Sequence, residues 1–243
     1  MNAVLLALPL LLATAAPRTP VLVELFTSEG CSSCPPADAA LAGLARTQPV
    51  EGAELIALGF HVTYWDSLGW KDPYASPEHS ARQRRYALDG DDNRIYTPQM
   101  VVDGERSFVG NDDEARAQAA AAAKHPKVPL RLTTRVEGHA VVVTVRLDSA
   151  PAEGLELWAA LAEDGLSTEV KRGENMGRKL AHAAVVRTLV TLPAPRAVGG
   201  GFVSEARLKL GPGWKREHLR AVAVLQAPGG PVRSVAAVAL QAK

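Results

Sequence analysis

ELFTSEGCSSCPPAD, residues 24–38, carries both cysteines of this 243-residue chain, with two residues between them. An apolar β-type run (residues 21–26, VLVELF) leads into it, and residues 35–45 (PPADAALAGLA) follow as a short helix with an apolar face. In that order the strand delivers Cys31 to the amino end of a helix, where unpaired N–H groups and the helix dipole favour a thiolate. Cys34 follows one turn on, close enough to close a disulfide. Pro35 and Pro36 have no N–H, so both fit only among the first three helical positions, whose N–H groups are unbonded anyway. Ser33 is then the expected N-cap, with Cys31 exposed ahead of the helix as the nucleophile and Cys34 half-buried in its first turn.

Three chemistries compete for the pair. A structural zinc site wants four ligands; only two thiols exist, and neither His61 nor His79 stands at a supporting spacing. A purely structural disulfide closes a very small loop and stabilises little by the chain-entropy argument. A thiol–disulfide redox couple suits the strand–CxxC–helix context best. No metal and no cofactor are expected.

Working outward, residues 54–60 read as a second strand and residues 77–88 as a charged helix. Residues 99–104 read as a strand entering a turn, with 106–109 returning beside it. Asn111 caps a further helix, and Glu114 three residues later completes a capping box. Strands separated by helices predict an α/β layer with at least one parallel pair. After Pro126 the texture changes. Runs at 130–136, 140–147, 155–162, 182–192, 202–210, 219–226 and 235–240 alternate between Gly and Pro punctuation, which predicts a β-sandwich. The expected organisation is a leader over 1–16, an α/β domain over 17–125 and a β-rich domain over 126–243.

The leader, MNAVLLALPLLLATAA, is apolar from Ala3, too short to span a bilayer, and ends in a small-x-small pattern at residues 13–15. It predicts export to the periplasm or beyond, where disulfides persist, with no stable membrane span after cleavage. A formal net charge of +1 and 5% aromatic residues give no reason to expect nucleic acid as a partner.

Four blocks in order carry a resemblance: ELFTSEGCSSCPPAD, HVTYWDSLGWKDPYASPEHSARQRRYA, YTPQMVVDG and KRGENMGRKLAHAAVVRTL. Together they resemble a secreted thioredoxin-like family catalogued as a domain of unknown function, number twelve twenty-three. The resemblance implies a thioredoxin-like fold in the first half, with Cys31 and Cys34 as the redox pair and Thr97-Pro98 as a cis bond facing them. It also sets Glu24 where thioredoxins keep a buried carboxylate, which would shuttle a proton to the second thiol.

In such a layout the end of the second strand lies beside the disulfide. There His61 or Asp66 would line the site, and Tyr64 and Trp65, with Trp70 nearby, would either form a platform for a peptide or thiol substrate or pack the interface with the β-rich half. Arg82, Arg84 and Arg85 read as the solvated face of a helix. Residues 172–178 (RGENMGR) read as a loop able to reach the α/β half, as a lid or as a clasp. The remaining histidines, His182 among them, show no pairing in the sequence. The expected activity is thiol–disulfide exchange on a protein or small-molecule substrate, initiated by Cys31 and resolved by Cys34. The alternative is a non-catalytic binding module of the cell envelope that keeps an inert disulfide.

Overall fold

The computed structural model describes residues 17–89 and 94–241, so the leader expected at 1–16 lies outside the described residues. In the first half the elements run β1 (Thr19–Thr27), α1 (Pro35–Thr47), β2 (Ala53–His61), α2 (Pro77–Asp89), β3 (Gln99–Val102), β4 (Arg106–Val109) and α3 (Asp112–Ala122). β1 pairs in parallel with β2 and antiparallel with β3, which continues into the β3–β4 hairpin. This is a thioredoxin-like topology.

β1 has helices or other structure on both faces, as its almost unbroken apolar run requires. Val21, Val23 and Leu25 pack against Leu41 and Leu44 of α1 and Ala115 and Ala119 of α3. Leu22 and Phe26, on the other face, meet Phe60, Tyr86 and Trp158. Asn111 caps α3 by accepting from the Glu114 N–H at 2.8 Å, while the Glu114 carboxylate takes Gln118 at 2.6 Å, so only half of the anticipated capping box forms.

The second half is built from β5 (Leu130–Glu137), β6 (Ala140–Leu147), β7 (Glu156–Glu163), β8 (Leu166–Glu169), β9 (Lys179–His182), β10 (Val185–Thr191), β11 (Arg196–Val198), β12 (Gly201–Lys209), β13 (Leu219–Gln226) and β14 (Val232–Ala239). It is dominated by antiparallel sheets. Its strands β14, β13, β7 and β10 extend the first sheet beyond β2, giving the order β14-β13-β7-β10-β2-β1-β3-β4. A second sheet, β11-β12-β6-β5, lies over that extension. Val141, Val143, Val145 and Leu208 meet Leu161, Leu219, Ala221 and Ala223 between the two sheets, which is the sandwich core.

One expected strand is two. The apolar run 182–192 breaks at Ala184, whose φ of 58° is left-handed. Its N–H bonds Asp164 at 2.7 Å and its carbonyl accepts from the Gly59 N–H at 2.8 Å, so the kink hands the chain from the short β8–β9 ribbon onto β2. That ribbon carries residues 170–178 between its strands and presents them to the cysteine loop. Among the described residues, no helix is long and apolar enough to cross a membrane.

Candidate active site

Consecutive turns shape the cysteine loop. The Cys31 N–H bonds the Ser28 carbonyl at 3.1 Å, and the Cys34 N–H bonds the Cys31 carbonyl at 3.2 Å. Cys31 and Cys34 form a disulfide with 5.4 Å between their Cα atoms. Cys34, not Ser33, is the N-cap of α1: its carbonyl accepts from the N–H groups of Ala37 and Asp38, and no side chain caps the helix. The two prolines supply the helix start, leaving Ser32 and Ser33 exposed.

The expected exposure of Cys31 is corrected, because Cys31 is 1% and Cys34 0% exposed. The cover comes from the β-rich half. Asn175 Nδ2 donates to the carbonyls of Glu29 and Cys31, both at 2.9 Å, and the Glu174 carboxylate accepts the Ser32 N–H at 3.0 Å. Gly173, with φ of 77°, lies against Trp70 so closely that a Cβ there would come within 3.2 Å of the Trp70 Cβ. The 172–178 loop therefore clasps the redox loop directly.

On the other side stands the Thr97-Pro98 bond, which is cis. The Pro98 carbonyl accepts from the Gly110 N–H at 3.2 Å; a Cβ on Gly110 would fall 2.8 Å from the Cβ of Ala37 and 3.6 Å from that of Pro98. Only glycine fits here, between the first turn of α1 and the cis proline. Trp65 Nε1 donates to Thr97 Oγ1 at 2.8 Å, and its Cβ lies 3.1 Å from where a side chain on Gly30 would begin. Trp65 thus bridges the cis-proline loop and the cysteine loop. Tyr64 packs partly on the core behind it, and Asp66 accepts the Asp72 N–H at 3.2 Å, shaping the loop before α2.

Glu24 is buried, but the proton shuttle expected of it is not what its surroundings offer. It points to the face of β1 opposite α1, where Arg82 Nε lies 2.5 Å from one oxygen and the Tyr86 hydroxyl donates to the other at 2.5 Å. Arg82 also donates to Gln226 at 3.0 Å and lies 4.0 Å from the centre of the Trp158 ring. Arg82 is therefore no part of a solvated helix face; it is 3% exposed because it answers Glu24.

A second polar cluster lies at the strand ends nearest the cysteines. His61 Nδ1 donates to Asp72 at 2.6 Å, and His182 Nε2 meets Glu29 at 3.0 Å. The two imidazoles lie edge to face with centroids 4.8 Å apart, and Tyr74 packs against both. Trp70 Nε1 donates to Glu29 at 2.8 Å, and the Glu29 N–H donates to Asp72 at 2.8 Å. Burial pushes the His61 imidazole down, but the Asp72 carboxylate and its hydrogen bond more than offset that and hold it above its ordinary value. Burial pushes Asp72 up, and the His61 charge with its hydrogen bonds brings it below the usual carboxylate range.

Asp38 behaves in the opposite sense. Desolvation pushes its carboxyl up to about 6, against the pull of His61, His182 and the neighbouring Thr27 hydroxyl. A carboxylic acid whose folded value is raised favours the fold when protonated. Asp38 therefore costs stability increasingly as pH rises from about 4 to 6. A group kept at such a cost suggests use in chemistry.

The sequence reading missed Glu29, Asp38, Asp72 and His182, and it singled out the 172–178 loop without giving Asn175 its contact. Asp38 was findable: it stands four residues after Cys34, on the same helix face. His182 and Asn175 were not, because the contact spans 153 residues to Glu29 and 144 to Cys31. Among the described residues, no three His, Cys, Asp or Glu side chains converge as metal ligands.

A family model described as "Protein of unknown function (DUF1223)" matches residues 22–226. The chain belongs to that family. No curated protein matches it. A solved crystal structure, protein AGR_C_4864 from Agrobacterium tumefaciens, is similar at 24% identity, with 94% of this chain and 99% of that one covered and a TM-score of 0.69. At that identity the likeness concerns the fold alone. In this DUF1223 chain the fold unites the CxxC loop, the cis proline and the clasping 172–178 loop.

Proposed function

We propose that this DUF1223 protein is an exported thiol–disulfide oxidoreductase. The observation that carries the reading is the Cys31–Cys34 disulfide at the amino end of α1, with the cis Pro98 loop brought beside that helix's first turn through Gly110. A Cys31 thiolate attacks a substrate disulfide, and Cys34 resolves the mixed disulfide by attacking Cys31. Thr97, Pro98, Tyr64 and Trp65 offer the substrate a surface, with His61 and Asp66 behind it. The substrate is a protein or small-molecule thiol or disulfide, and access requires the 172–178 loop to lift. The leader at 1–16 supports export.

The test is a Cys34→Ser full-length chain offered oxidised proteins from the cell envelope. Covalent mixed disulfides through Cys31, found by mass spectrometry, are the expected product. If nothing is trapped under oxidising or reducing conditions, the second reading replaces the first. That reading is a binding module with an inert disulfide, and the burial of both sulfurs beneath the loop favours it.

A further inference from the structure

The helix that Cys34 caps carries a carboxyl, Asp38, that the exchange reading leaves unused. Asp38 follows Cys34 by four residues on α1, and its N–H bonds the Cys34 carbonyl at 3.1 Å. Residues i and i+4 share a helix face, and helical side chains lean toward the amino end, so the carboxyl of Asp38 covers the turn that holds Cys34. Three elements face it: Thr27 at the end of β1, His61 at the end of β2 and His182 at the end of β9. Behind the histidines stand Asp72, paired with His61, and Glu29, paired with His182. One buried atom on the facing residues, His182 Nδ1, has no hydrogen-bond partner. A merely structural cluster would satisfy such an atom or replace it with an apolar group.

We propose that Asp38 is the proton acceptor for Cys34 in the resolving step, with His61 and His182 setting its charge. The inference rests on the exchange reading given above. With Cys31 bound to a substrate sulfur, the Cys34 thiol gives its proton to the Asp38 carboxylate as its sulfur attacks Cys31. The Cys31–substrate bond breaks, the Cys31–Cys34 bond forms, and the substrate sulfur leaves as a thiolate that takes a proton from solvent. Two electrons pass from the cysteine pair to the substrate disulfide, which is reduced. Because His182 comes from the β-rich half, that half completes the chemistry as well as covering it.

The experiment is single-turnover resolution of the mixed disulfide that the reduced full chain forms with an aromatic, chromogenic disulfide, followed across pH. Asp38→Asn is expected to slow resolution at pH 7 by roughly 100-fold, the lower range for general acid–base catalysis. The deficit closes as pH rises past the ordinary thiol value of about 8.5, where Cys34 ionises unaided. The wild-type profile inflects near pH 6, and the Asn variant loses that inflection. Asp38→Glu recovers part of the rate. His182→Gln retains a hydrogen-bonding partner for Glu29 but removes a charge that lowers Asp38, so the inflection moves upward.

An Asp38→Asn chain that resolves with the wild-type profile overturns the proposal. If that variant does not fold, the His182→Gln profile decides, and an unmoved inflection overturns it. If wild type forms no mixed disulfide, the exchange reading fails separately, and thiolate absorbance of the reduced chain reads the Cys34–Asp38 coupling directly. A Cys34 titration that shifts downward in Asp38→Asn supports the placement, whereas an unchanged one overturns it.

Discussion

A Cys31→Ser chain is expected to lose all exchange with model disulfides while keeping its fold. The loss should be complete because Cys31 precedes the helix as the attacking sulfur, whereas Cys34 is the N-cap of α1, fully buried, and serves as the resolving one. The fold should survive because the bridge spans residues only three apart in sequence. The chain-entropy model gives so small a loop roughly 2 kcal/mol. Turn hydrogen bonds and the two Asn175 contacts, all made through backbone atoms of the loop, remain in the variant. Release of a chromogenic thiol measures exchange, and near-UV circular dichroism reports the fold. Retained exchange at the wild-type rate would remove Cys31 as nucleophile.

Arg82→Met is expected to have the largest effect on stability. The substitution leaves the Glu24 carboxylate buried in the sheet with Tyr86 as its remaining partner, and it also strips a donor from Gln226. Removing one partner of a buried ion pair costs about 3–5 kcal/mol, because the other charge stays desolvated. Urea unfolding at pH 7 should show that loss as a lower midpoint with an unchanged slope. The double variant Arg82→Met, Glu24→Leu should recover most of it, since apolar replacement of a whole buried pair is often neutral. A loss below about 1 kcal/mol in the single variant would mean that Glu24 finds another partner. In that case the assignment of this pair to structure would fall.

How far the sequence could be read followed the range of the interactions. The strand–CxxC–helix unit and the alternating runs of the second half are local patterns, and each was legible; the cis Thr97-Pro98 bond was legible only through the family resemblance. Cys34 as N-cap was not, because serine is the better capping residue by intrinsic preference and the chain nevertheless starts α1 at Pro35. Arg82 misled for a similar reason. A charged residue in a polar helix reads as solvated until its partner, 58 residues earlier, is seen across the sheet. The burial of Cys31 was the least legible feature. It depends on Asn175 and Glu174, whose loop was expected to reach the α/β half but not to land on the cysteines.

The most direct test of the account is an equilibrium titration of the full chain in glutathione redox buffers at pH 7, with free thiols counted by mass tagging. The account predicts one reversible two-electron transition in which Cys31 and Cys34 open and close together while the near-UV spectrum stays native. Each ~30 mV along that transition is ~1.4 kcal/mol in the balance between thiolates and disulfide. A disulfide that stays closed until the protein itself unfolds would contradict the account and leave the pair as a structural staple.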